Sequence, residues 1–155
     1  MSFTIRTMAA EDLDQLLALA ADAEAPQWSR LDYERILRAD PSNPLLRSGL
    51  LGFCDRALSG FAVVSCLRHE TAAEVEGLFV DRACRRQGLG GGLVAACMAW
   101  AAAAGASAIR LEVRASNSAA LALYQHHGFT AVGIRRAYYS VPVEDAVLLQ
   151  APLPL

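Results

Sequence analysis

The sequence predicts an α/β (α+β) fold: a mixed central sheet of about seven strands, with elements in the order β-α-α-β-β-β-α-β-α-β-β. Three observations predict it. Strand-like apolar runs separated by short polar turns fill Leu50 to Asp81 as an antiparallel meander. A glycine-rich loop, a small-residue helix and another strand follow as a strand-helix-strand crossover. The chain has 155 residues, 54% of them apolar, so residues 1–155 read as one domain. A chain of this size buries about 68–70% of its unfolded surface and needs no metal or disulfide to fold.

Each element has a local cause. Phe3 to Arg6 alternates like a short strand, and Glu11 to Ala23 puts Leu13, Leu16, Leu17 and Ala20 on one helical face. Ser29 with Asp32 forms a capping box for a second helix, with Leu31, Ile36 and Leu37 as its stripe, and Pro41 and Pro44 close it. Strands follow at Leu50–Phe53, Gly60–Leu67 and Glu74–Val80. A helix then runs from about Gly88 to Ala104, stopped by Gly105, before a strand at Ala108–Val113. Ser116 or Asn117 caps the last helix through Gln125, Gly128 ends it, and Phe129–Ile134 and Ala146–Leu149 are the final strands.

Composition removes several functions. All 14 basic residues are Arg, which excludes a lysine Schiff base and a Walker phosphate loop. A net charge of −2 leaves no electrostatic footprint for nucleic acid. Cys54, Cys66, Cys84 and Cys97 are spaced singly and read as reduced thiols, with no metal site. The start, Met1 to Arg6, lacks the features of a secretory signal, so the expected location is cytoplasmic. Gln87 to Ile109 is uncharged and long enough to span a bilayer, but its Ala and Gly content fits a helix wedged against a sheet. No membrane is expected as a partner.

The loop from Val80 to Gly92 carries the first chemical signal. A helix start there offers unpaired N–H groups and a positive dipole end to an anion, and glycines allow close approach. Arg85 and Arg86 add charge, which suits a pyrophosphate. A flexible glycine turn with solvated arginines is the plain alternative. A dinucleotide fold is the sharper one, because Gly90 to Ala95 fits G-x-G-x-x-A and Glu112 lies about 20 residues on. The preceding meander and the short remainder after Glu112 argue against it.

Arg85-Arg86-Gln87-Gly88-Leu89-Gly90 resembles the R/Q-x-x-G-x-G/A motif of the GNAT superfamily of N-acetyltransferases, after a strand ending Leu78-Phe79-Val80-Asp81. The element order is similar to that family's over essentially the whole chain. The run Leu111 to Phe129, with Arg135 to Tyr139 and Glu144 to Ala146, is similar to the ribosomal-protein-alanine N-acetyltransferase branch. Where that branch has Pro-Trp-Ser, this chain reads Pro26-Gln27-Trp28-Ser29.

The second signal is a carboxylate and a phenol on adjacent elements. On spacing alone, Glu112 reads as a surface ion pair between Arg110 and Arg114, Tyr124 as a helix-sheet aromatic, and Asn117 as a helix cap. Amine acetylation by a thioester needs a base for the amine and an acid for the leaving thiolate, and these two groups supply them. The resemblance implies Glu112 as general base, Tyr124 as general acid and Asn117 as a cofactor ligand. It also implies acetyl-CoA as cosubstrate, held by Leu78, Phe79 and Val80 and by Arg85, Arg86, Gln87, Gly88, Leu89, Gly90 and Gly91. The implied acceptor is a protein N-terminus, most specifically the N-terminal alanine of a ribosomal protein, or else a small-molecule amine. Tyr138, Tyr139, Glu144 and Asp145 are candidates for lining its groove. Glu76 is a second candidate base, and a non-catalytic acyl-CoA sensor is the alternative outside the enzymes. His126 and His127 sit at a helix end and receive no chemistry, and no neighbouring motif activates Cys84.

Overall fold

The local signals produce the expected order. The computed structural model describes residues 2–38 and 40–154. Its strands are β1 (Phe3–Thr7), β2 (Leu45–Cys54), β3 (Ala57–Leu67), β4 (Ala72–Val80), β5 (Ala108–Arg114), β6 (Thr130–Ser140) and β7 (Val143–Pro152). Its helices are α1 (Leu13–Leu19), α2 (Arg30–Leu37), α3 (Leu89–Ala103) and α4 (Ser118–His126), with 3-10 turns at Ala10–Asp12 and Arg82–Cys84. The seven strands form one sheet in the order β1-β2-β3-β4-β5-β7-β6. β4 and β5 are parallel, and the other neighbours are antiparallel.

Strand alternation divides the core between the two faces of the sheet. Phe61 and Val63 pack with Leu13, Leu16, Tyr33 and Ile36 on the α1 and α2 face, while Ala62 and Val64 pack with Leu93, Val94 and Cys97 of α3 on the other. Small residues let α3 lie close to the sheet. A Cβ at Gly92 would sit 2.7 Å from the Phe3 ring and 2.9 Å from Ile5 Cδ1. The uncharged stretch from Gln87 is therefore a packed helix, and among the described residues no helix is long and apolar enough to cross a membrane.

Helix ends follow the predicted chemistry. Ser29 Oγ accepts from the Asp32 N–H while Asp32 Oδ2 accepts from the Ser29 N–H. Gly105 and Gly128 close α3 and α4 with φ of +94° and +90°. In each, the glycine and the next residue donate back to the last turn: Gly128 to Gln125 O, and Phe129 to Tyr124 O. The first helix is shorter than expected. Asp22 Oδ1 accepts from the Glu24 N–H at 2.9 Å, a local bond that replaces the next helical turn. β2 and β6 are longer than expected, because distant partners carry them through their polar stretches.

Candidate active site

The site begins with a bend in β4. The β3–β4 register passes from Val64↔Val75 to Val63↔Gly77, which makes Glu76 an extra residue on β4. Such a bulge bends its strand. The β4–β5 ladder pairs Ala72, Ala73 and Glu74 with Ala108, Ile109 and Arg110 and ends there, while the strands continue to Val80 and Arg114. A gap opens between two strands in the middle of the sheet.

Backbone groups line its β4 side. The Asp81 N–H donates to Ser59 O at 2.7 Å, which makes Val80 and Gly60 a non-hydrogen-bonded pair. Val80 therefore turns its N–H and C=O away from β3, and Leu78, two residues back, does the same. Phe79, between them, is bonded into the β3 ladder and buries its ring beside Phe61, with centroids 6.2 Å apart.

The chain then turns through left-handed conformations at Arg86 (φ +63°) and Gly88 (φ +90°) into α3. The Gly92 N–H donates to Gly88 O, leaving the N–H groups of Leu89, Gly90 and Gly91 ahead of the first helical bond. These groups, with the outward backbone of β4, fit an extended ligand with a pyrophosphate at the helix end. Gln87 Oε1 is buried without a partner among the described residues, an acceptor left over beside the loop. Leu89 itself is core. Among the expected cradle residues, Arg85 is already engaged within the protein, since its Nε donates to Val80 O at 3.0 Å and its Nη2 pairs with Glu24 at 2.7 Å. Cys84 lies beside Cys54, whose thiol is pushed up by burial first and by Cys84 second.

Glu112 faces the gap from β5. Leu111 and Val113 are buried under α3 and α4, so Glu112 points to the opposite face, where α1 and α2 pack over β2 and β3 and reach Phe79 of β4. Its side chain is 20% exposed, and Arg135 Nε lies 3.1 Å from Oε1. A second bulge brings Tyr138 to the same carboxylate. The β6–β7 register jumps from Arg135↔Ala146 to Tyr139↔Glu144, and the Ala137 N–H, at φ +51°, donates to Asp145 Oδ1 at 2.8 Å. Hydrogen bonding to Glu112 raises the Tyr138 phenol above its usual range. Arg135 lies over the Tyr138 ring at 5.6 Å and Arg114 over Tyr139 at 4.3 Å.

Tyr124 is buried in α4 against Phe129, and burial first, then Cys97 and Tyr139, push its phenol well above the usual range. It stays protonated throughout the neutral range. Asn117 caps α4, its Oδ1 accepting from the Ala120 N–H at 3.1 Å. Two residues expected in an acceptor groove serve as internal ties. Glu144 accepts from the Ser116 N–H at 2.6 Å and pairs with Arg114, which lowers its pKa, and Asp145 holds the β6 bulge. Glu76 is gripped by Arg47 through two bonds of 2.8 and 2.9 Å.

Sequence reasoning did not find Glu74, Arg47 or Glu24. Glu74 is solvent-reached, yet desolvation by surrounding protein, then Glu76 and Glu112, raise its carboxyl. It completes a group of three carboxylates on one face. Strand periodicity shows that Glu74 and Glu112 share that face only once the strand order is known.

Comparison with known proteins agrees with this architecture. The sequence profile of the acetyltransferase (GNAT) family matches residues 12–129. The [ribosomal protein bS18]-alanine N-acetyltransferase of Escherichia coli K12 is 30% identical over 98% of this chain and 99% of its own length. The crystal structure of the ribosomal-protein-S18-alanine N-acetyltransferase from Escherichia coli superposes with a TM-score of 0.81 at 28% identity, covering 99% of this chain and 96% of that one. A NatC complex solved with Gag peptide and CoA shares the fold, with a TM-score of 0.80 at 23% identity over 99% of this chain and all of the matched chain. The chain thus has a known fold and is a member of the GNAT acetyltransferase family and an acyltransferase.

Proposed function

We propose that this chain transfers the acetyl group of acetyl-CoA to a primary amine in a ternary complex, the acceptor being the N-terminal alanine of a ribosomal protein or a similar protein N-terminus. The observation that carries the reading is the meeting of two features at one gap: the outward backbone of Leu78 and Val80, and the Glu112 carboxylate on the open face. The near full-length likeness to a bS18-alanine N-acetyltransferase supports the acceptor.

In this reading the N–H groups at the start of α3, between Gly88 and Gly91, hold the pyrophosphate, with Arg86 adding charge. The Leu78 and Val80 backbone takes the pantetheine and thioester end, and a strand N–H stabilises negative charge developing on the carbonyl oxygen. The Asn117 side-chain NH2, unused by its cap, serves the cofactor. Glu112, directly or through a held water, takes a proton from the amine, which attacks the thioester carbonyl. The Tyr124 proton goes to the leaving thiolate. Tyr138 and Tyr139 form the acceptor wall, whereas Glu144 and Asp145 hold the hairpin that carries them. The cytoplasm is the compartment this reaction implies.

The test is mass spectrometry after incubation with acetyl-CoA of peptides with free Ala, Ser, Gly and Met N-termini, an N-blocked lysine peptide and polyamines. Acetylation confined to small N-terminal residues, led by Ala, is the expected result. Modification of polyamines alone would move the acceptor to small molecules. Acetyl-CoA binding with no product from any amine would turn the reading to a sensor.

A further inference from the structure

One carboxylate joins the cofactor loop to the acceptor side of the molecule. Glu24, between α1 and α2, takes Arg82 Nη2 on Oε1 at 2.6 Å and Arg85 Nη2 on Oε2 at 2.7 Å. Both of its oxygens are engaged by the loop that leads into α3. Arg85 simultaneously donates to Val80 O, at the edge of the gap, and lies 5.9 Å from the centre of the Phe79 ring.

Motion at Glu24 has a short path to the acceptor face. Ala25 is buried, and Pro26 and Trp28 stand over Gly77, where an added Cβ would come within 3.0 Å of Pro26 Cγ and 2.8 Å of Trp28 Cη2. Gly77 lies between the Glu76 bulge and Leu78. Trp28 is fixed in turn by edge contact with Tyr33 at 5.7 Å. The segment held by Glu24 therefore forms the wall of the open face beside the gap.

The two guanidinium groups are the contested element. They belong to the loop that would receive a polyanionic cofactor, and an arginine shared with a phosphate holds a carboxylate less firmly. We infer that Glu24 is a positioning residue that couples the two sites: in the free protein it clamps the α1–α2 segment to the cofactor loop, and the cofactor's phosphates release that segment by competing for Arg82 and Arg85. The inference rests on the acetyl-CoA reading above. Cofactor and acceptor are then linked, each tightening the binding of the other by the same factor.

Calorimetric titrations of wild type, Glu24→Gln and Glu24→Asp test this, using CoA alone, an Ala-starting hexapeptide alone, and the peptide on CoA-saturated protein. In wild type the peptide should bind at least about fivefold more tightly to the loaded protein. Glu24→Gln should bind the free peptide almost as well as the loaded form does, bringing the ratio below about twofold, while Glu24→Asp recovers part of it. A purely structural role would lower both affinities and the melting temperature together and leave the ratio intact, which would overturn the inference. Equal ratios in wild type and Glu24→Gln would do the same while leaving the cofactor reading standing. Wild type that fails to bind CoA would sink both.

Discussion

Arg47 and Glu76 grip each other across β3 by two charge-assisted hydrogen bonds, Nε to Oε2 at 2.9 Å and Nη2 to Oε1 at 2.8 Å. Glu76 is the bulge residue of β4, so the pair pins the bend that opens the gap. A carboxylate held this way is poorly placed to accept an amine proton. Glu76→Gln should cost about 1–2 kcal/mol of stability through loss of the charged acceptor, with turnover changed only a few-fold. Glu112→Gln should leave urea unfolding nearly unchanged and lower kcat by about 10²–10⁴. The opposite pattern, turnover lost at Glu76 and kept at Glu112, would exchange their roles.

Tyr124 and Tyr138 should separate in kinetics. Burial keeps the Tyr124 proton in place across the neutral range, and in the proposed reaction that proton is used only at the leaving thiolate. Tyr124→Phe should therefore lower kcat by about 10² or more without altering CoA affinity. Tyr138 is half exposed on the open face, and its phenol is raised above the usual range by Glu112 first. Tyr138→Phe should act mainly on the peptide KM. A KM effect at position 124 with unchanged kcat would remove it from proton transfer.

The parts of this molecule that are legible in sequence are those whose causes are local. The Ser29–Asp32 box, the stops at Gly105 and Gly128 and the two strand faces each depend on residues a few positions apart. What escapes is long-range. Arg85 reads as an unpaired cation beside the loop until Glu24, 61 residues earlier, is found against it, and Glu76 reads as a free base until Arg47, 29 residues earlier, is. The ties of Glu144 escape for the same reason, its partners Arg114 and Ser116 coming from β5 and the start of α4. The gap itself arises from one unpaired residue in a ladder, and alternation on a single strand carries no record of register.

Tyr33 supplies a stability test independent of catalysis. It is 0% exposed, its hydroxyl has no hydrogen-bond partner among the described residues, and burial pushes its pKa up to about 12 from 10.0. An orphaned buried hydroxyl is unfavourable, so Tyr33→Phe should stabilise the fold by about 1 kcal/mol at neutral pH. The folded pKa lies above the unfolded one, so the folded state holds this proton more tightly, and the associated stability is complete below pH 10 and lost as pH rises towards 12. Urea midpoints measured from about pH 8 to 11.5 should fall for wild type above pH 10 and fall less steeply for Tyr33→Phe. Parallel curves would mean that Tyr33 has found a partner in solution.

Gly88 and Gly105 form a matched pair for testing the cradle. Both have left-handed φ, +90° and +94°, and an alanine at either position adopts that conformation at a cost of about 1–2 kcal/mol. Gly105 ends α3 with nothing within 4 Å of an added Cβ, whereas Gly88 caps its start, where a Cβ would lie 3.3 Å from the Phe3 ring. The strain is therefore comparable and the location differs. Gly105→Ala should lower the unfolding free energy and leave the Kd for CoA unchanged. Gly88→Ala should lower it by a similar amount and also weaken CoA by about tenfold, because strain relieved at the cap turns the N–H groups of Leu89 to Gly91 off the pyrophosphate; a loss of about 1.4 kcal/mol in binding corresponds to that factor. Equal CoA affinity in the two variants would show that the start of α3 is not where the phosphates sit.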